Sequence, residues 1–113
     1  MIRHIVMFRL KDQAHGNSKA ENLRLIKAKL EALHGQIPGL LRMEVGIDFS
    51  ASDTSSDFVI DSDFASREAL DAYIVHPAHQ AVAQFIAEAR TERRLVDFEV
   101  KSCSGSPRRG CPR

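Results

Sequence analysis

The chain has 113 residues, a formal net charge of +1, 43% apolar and 27% charged residues, the composition of one globular domain of a size at which a partner subunit adds materially to burial. No apolar run approaches the ~20 residues that a membrane-spanning helix needs, and Met1 to Phe8 lack the apolar core and small-residue cleavage site of a signal peptide, so a cytoplasmic protein with no membrane partner is expected. Residues 101–113 hold Lys101, Arg108, Arg109 and Arg113 and no acid, which leaves a mildly acidic body and argues against nucleic acid as the main partner.

Residues 2–10 alternate, with Ile2, His4, Val6, Phe8 and Leu10 on one side and Arg3, Ile5, Met7 and Arg9 on the other, which predicts a strand with two unlike faces. His4 is the one polar residue on the apolar side. Ser18-Lys19-Ala20-Glu21 matches a capping box, and Leu23, Ile26, Leu30, Leu33 and Ile37 recur at helical spacing, predicting an amphipathic helix that ends around His34-Gly35, with a turn at Pro38-Gly39. Leu41, Met43, Val45, Ile47 and Phe49 form the apolar side of a second strand, and the polar run from Ser50 to Ser56 a loop. Phe58, Ile60, Ser62 and Phe64 line a third strand. Ser66 caps a short helix with an inner face of Leu70, Tyr73 and Ile74, and Pro77 opens another whose face is Val82, Phe85, Ile86 and Ala89. A last strand runs from about Arg93 to Lys101. The domain is thus residues 1–101, and 102–113, rich in Ser, Gly, Pro and Arg, reads as a disordered tail whose Cys103 and Cys111 are expected to be free thiols, with metal binding or a disulfide as the alternatives.

The order β-α-β-β-α(α)-β is that of an α+β, ferredoxin-like fold, a four-stranded antiparallel sheet with helices on one face. The other face, expected to carry Arg3, Ile5, Met7, Arg9, Arg42, Glu44, Val59, Asp61, Leu95, Asp97 and Glu99, mixes charges with apolar groups and predicts a homodimer through the open sheet face.

The chemically capable residues concentrate in Tyr73-Ile74-Val75-His76-Pro77-Ala78-His79. Pro77 makes this a joint between two helices, His76 caps the second, and His79 lies on its first turn, where the dipole favours a neutral imidazole able to act as a base. His4, His79 and Tyr73 are the candidate catalytic residues; packing roles for the same three, as a core histidine, a helix-end partner and a core ring, stand as the alternative. His76 and His79 with His4 lack a third metal ligand at a recognisable spacing, and no phosphate loop, nucleophile elbow or dinucleotide fingerprint occurs, so no metal or cofactor is expected.

The opening strand Ile2 to Lys11, the Ile37-Pro38-Gly39 turn, the acidic and apolar strand ending in Phe64 with Ser66 after it, and Tyr73 to His79 together resemble the stress-responsive A/B barrel domain (Dabb) family over roughly residues 1–101. The resemblance implies a dimeric α/β barrel in which two sheets pack face to face. It also implies, by similarity to plant polyketide cyclases of the family, a cofactor-independent reaction on a small carbonyl compound, of the cyclase, lyase or isomerase type, in which the strand histidine matches His4, the last histidine of His-Pro-x-His matches His79, and the tyrosine before it matches Tyr73. The cyclases use a further tyrosine on the first helix, where this chain has Leu30 and other residues, so that role is unfilled. A non-enzymatic dimeric stress-response protein is the alternative function. A barrel-type monooxygenase ranks below it, since the chain has no tryptophan and no haem-ligand pattern.

Overall fold

The computed structural model describes residues 1–101, so the predicted tail with Cys103 and Cys111 lies outside the described residues. The elements run β1 (Ile2–Leu10), β2 (Gln13–Ala14), β3 (Asn17–Ser18), α1 (Lys19–Glu31), β4 (Leu40–Ile47), β5 (Phe58–Phe64), α2 (Arg67–Val75), α3 (Pro77–Ala89) and β6 (Arg90–Glu99). The four long strands form one antiparallel sheet in the order β4-β5-β1-β6, the predicted ferredoxin-like arrangement with β1 at its centre. No helix among the described residues is long and apolar enough to cross a membrane.

Local chemistry sets the joints. β2 and β3, too short to read from periodicity, are a hairpin whose two turn residues, His15 (φ 57°) and Gly16 (φ 75°), both take the left-handed conformation that a two-residue turn of this twist requires. The hairpin is tied to α1 by Asn22, buried on the core side of the helix, whose amide donates to Ala14 O (3.0 Å) and accepts from Asn17 Nδ2 (3.2 Å). Ser18 caps α1 as predicted, its Oγ accepting from the Glu21 N–H at 3.2 Å. The helix stops at Glu31, short of His34-Gly35. Beyond it the hydrogen bonds tighten to a three-residue span, Leu33 N–H to Leu30 O and Gln36 N–H to Leu33 O, each 3.0 Å, which still buries Leu33 and Ile37. His76 ends α2 and caps α3, its Nδ1 accepting from the Ala78 N–H at 3.1 Å.

The helix-covered side of β1 and β5 is buried as the alternation predicts, from Ile2 to Leu10 and from Phe58 to Phe64. Ile26, Leu30, Tyr73, Val82 and Ile86 close over it, while Ile74, predicted to face inward, is 45% exposed. β4 departs from its pattern. A register irregularity between Leu40 and Arg42 turns Leu40 into the core and Leu41 out to solvent, and Phe49, past the end of the strand, is 96% exposed.

β6 corrects the expected composition of the open face. Pairing with β1 sets Phe98 opposite Arg3, Val96 opposite Ile5 and Asp97 opposite His4. Directly opposed residues share a face, so Val96 and Phe98 belong to the open face while Leu95, Asp97 and Glu99 lie on the helix side. Periodicity alone could not decide this, because β6 is an edge strand with both sides exposed along its whole length. The open face therefore carries a strip of exposed Met7, Val96 and Phe98 beside half-buried Ile5 and Val59. Two of its arginines, Arg3 and Arg42, are already matched to acids within the chain. Asp63, buried on this face, accepts from Arg3 Nε (2.8 Å) and Arg42 Nε (2.9 Å), and Arg42 also reaches Asp61 (2.5 Å). Burial would raise the Asp63 pKa, but the two arginines outweigh it and hold the carboxyl below its ordinary value. At the far edge, Lys27 and Glu31 of α1 clamp β4: Glu31 Oε2 accepts from the Val45 N–H (3.1 Å) and Lys27 Nζ donates to Val45 O (2.6 Å).

Candidate functional site

The three candidate residues meet. His4 projects from β1 toward the helices and is 5% exposed; Tyr73, at the end of α2, is 1% exposed; His79 follows on the first turn of α3. The Tyr73 ring lies 4.1 Å from that of His79, 4.8 Å from Phe64 and 6.1 Å from His4, centroid to centroid, so one aromatic ring bridges both histidines. All three line a partly open cavity of about 230 Å³ between sheet and helices. Val6, Ile60, Leu30 and Ile86 supply its apolar floor and sides, and Arg90 and Arg93 of β6 complete it. The volume corresponds to roughly eight water-sized groups, smaller than a drug-sized ligand occupies.

Each polar group is set for a different task. His79 Nδ1 is 3.2 Å from Ile74 O. A carbonyl only accepts, so this nitrogen carries the proton and the lone pair sits on Nε2. Burial lowers the His79 pKa, with repulsion from His4, Arg93 and His76 adding to it against the opposing Ile74 bond, and the ring is thereby held neutral with its Nε2 lone pair free. His4 Nδ1 lies 2.5 Å from Asp97 Oδ1, which fixes the ring orientation in the same way and leaves Nε2 available. The Tyr73 hydroxyl is buried and has no hydrogen-bond partner among the described residues, and burial pushes its pKa up, so it stays a proton donor. His76 is not part of the group, since its ring is engaged in capping. Among the described residues no cluster of three or more histidine, cysteine or acidic side chains is arranged to hold a metal.

Three residues of the site escape the sequence. Asp97, Arg90 and Arg93 depend on the register of β6, which periodicity could not give. One signal was present: a histidine isolated on the apolar side of β1 needs a partner, and the antiparallel order places the last strand beside β1, where the one acid of Val96-Asp97-Phe98 can supply it.

The sequence profile of the stress responsive A/B barrel domain matches residues 2–100. The chain belongs to the Dabb family. Among relatives of this Dabb chain, an uncharacterised protein of Streptomyces coelicolor is 40% identical over 81 residues, covering 72% of this chain and 81% of its own. A dimeric ferredoxin-like protein from Bacteroides fragilis superposes with a TM-score of 0.77 at 28% identity, over 87% of this chain and 94% of its own. Hydroxynitrile lyase from Passiflora edulis does so with a TM-score of 0.73 at 20% identity, over 86% and 90%, a likeness of fold alone.

Proposed function

We propose that this Dabb protein is a homodimer, joined through the open sheet face, that binds a small and partly apolar carbonyl compound and moves a proton on it without metal or cofactor. The single observation that carries the chemistry is the Tyr73 side chain on the wall of a cavity it shares with the neutral, partner-oriented His79, its hydroxyl a buried donor with no partner among the described residues. Such a hydroxyl is costly to bury unless a ligand oxygen completes it. His79 Nε2 takes a proton from the carbon next to the carbonyl, while the carbonyl oxygen, gaining charge, accepts a hydrogen bond from Tyr73; His4, held by Asp97, is placed for a second contact. Return of the proton to another atom is an isomerisation, and attack of the same carbanion on a second carbonyl, or its formation by bond cleavage, gives the cyclase and lyase variants.

The dimer is supported by the exposed strip of Met7, Val96 and Phe98, of the kind a subunit contact covers, and by the dimeric state of the Bacteroides fragilis relative. A purely structural dimer would use the same strip and would leave the bare Tyr73 hydroxyl without a purpose. Exchange of α-hydrogens for deuterium in a panel of small ketones, followed by NMR, tests the assignment. Exchange of at least one ketone should exceed that in buffer and fall by about 10²-fold or more in His79→Gln. No acceleration with any ketone, or the same acceleration in His79→Gln, overturns it.

A further inference from the structure

We infer that the compound taken by this cavity is an anion, a small carboxylate, bound by Arg90 and Arg93. This deepens the reading of the cavity as a ligand site and rests on it. A regular strand sends residues three apart to opposite faces, so Arg90 and Arg93 should diverge. They do not, because β6 carries a bulge. Its register with β1 runs Arg93 to Phe8 and Glu92 to Arg9, then skips Thr91 so that Arg90 stands opposite Leu10. Phe8 and Leu10 both point to the helix side, and the bulge thereby turns both guanidinium groups to the cavity they line. The bulge is pinned on each side, by the Lys11 N–H to Ala89 O (2.8 Å) and by the Thr91 hydroxyl to Arg9 O (3.3 Å).

Neither guanidinium makes a hydrogen bond or ion pair with another described residue, although Arg3 and Arg42 on the opposite face are both matched to acids. The one carboxylate on this side of β6 near the cavity, Asp97, is already taken by His4. The cavity thus has an apolar floor, a proton-transfer group in the middle and two unmatched cations at β6. That layout suits an amphiphilic acid whose apolar part fills the floor and whose carboxylate meets the arginines, with the planar guanidinium matching two carboxylate oxygens at once. It also orients the molecule, fixing which carbon faces His79.

Benzoate and its neutral counterpart benzamide are the probes, titrated against the intact protein with the ring signals of His79 as the readout. Benzoate should bind at least about tenfold more tightly than benzamide, and high salt should narrow the gap, since the Debye length falls to about 3 Å at 1 M. The double variant Arg90→Gln with Arg93→Gln should bring the ratio close to one with benzamide unaffected, and Arg93→Lys should retain part of it. Both arginines are exposed, so these substitutions leave the core intact. A ratio near one in the natural protein, a ratio unchanged in the double variant, or no saturable response to either probe overturns the inference. Neutral-ketone exchange that depends on His79 but comes with no preference for benzoate would retire the anion and keep the proton transfer; a preference for benzoate without any exchange would do the reverse.

Discussion

Replacing Tyr73 with phenylalanine should make the protein more stable and less active at once. The substitution keeps the ring that packs on Phe64 and His79, at 4.8 and 4.1 Å, and removes only an oxygen that has no partner among the described residues. Burying an unsatisfied hydroxyl costs roughly 1–3 kcal/mol on the scale of protein substitutions, so Tyr73→Phe should gain about 1–2 kcal/mol. For a domain of this length that corresponds to a rise in Tm of about 4 °C per kcal/mol. Urea unfolding at a fixed protomer concentration measures it, because a dimer's midpoint moves with concentration. Loss of the donor should meanwhile slow ketone exchange by about 10²–10³-fold, the usual effect of deleting one group that stabilises a developing oxyanion. A destabilisation above about 1 kcal/mol would mean that the hydroxyl has a partner in solution, and the reasoning from an unmet donor would fail. A stability gain with undiminished exchange would make it a packing defect and nothing more.

The remaining expectations concern pH, orientation and assembly. Because His79 has a folded pKa below its unfolded value of about 6.5, the unfolded chain binds its proton first, so the stability tied to the neutral ring is fully present above that pH and lost as pH falls through the lower folded value. Unfolding curves of the natural protein and His79→Gln should converge in slope above neutrality and diverge on acidification; parallel curves throughout would refute it. The exchange rate should likewise rise with pH through a midpoint below 6.5, and that midpoint should be lost in His79→Gln. Asp97→Asn should lower kcat with little change in KM and cost about 1 kcal/mol in urea unfolding, given one partner only partly shielded from water; an effect on KM alone would contradict an orienting role. Val96→Asp, which puts a charge on the open face twice per dimer, should raise the dimer dissociation constant at least about a hundredfold by analytical ultracentrifugation, and an unshifted equilibrium would place the contact elsewhere.

Much of the fold was legible in the sequence because the signals were redundant. β1 and β5 alternate cleanly with one face covered, so a single assignment satisfies every residue; Ser18, Ser66 and His76 sit where helix starts need acceptors, and all three cap. The meeting of His4, Tyr73 and His79 followed from the same logic, since a helix-facing strand residue and a helix joint on that face have one space to share. What escaped was register at the edges. β6 has no buried side, so nothing in Arg93 to Glu99 distinguishes Val96 and Phe98 from Leu95 and Asp97 until β1 is paired with it. The irregularities at Leu40 and Thr91 each reverse the alternation at one point, sending Leu41 outward and Arg90 to the cavity, and a bulge leaves no mark in residue type. Asp61 and Asp63 of β5 are satisfied by Arg42 and Arg3 of their own chain, a cross-strand match that linear spacing does not reveal.

The clamp of Lys27 and Glu31 on Val45 also decides how copies of this chain can grow. A bare outer strand is a template on which another strand can zip, and open-ended stacking of that sort leads to fibres. At β4 the template is already occupied at Val45, on both its N–H and its C=O, by the protein's own helix, so an incoming strand would have to evict two charged groups to seat there. The Lys27 ammonium, aided by the Val45 N–H, outweighs burial and holds the Glu31 carboxyl below its ordinary range, which keeps the barrier charged through mild acidification. Endless addition at this rim is thereby disfavoured, and the pairing proposed through the sheet's flat face makes no use of it.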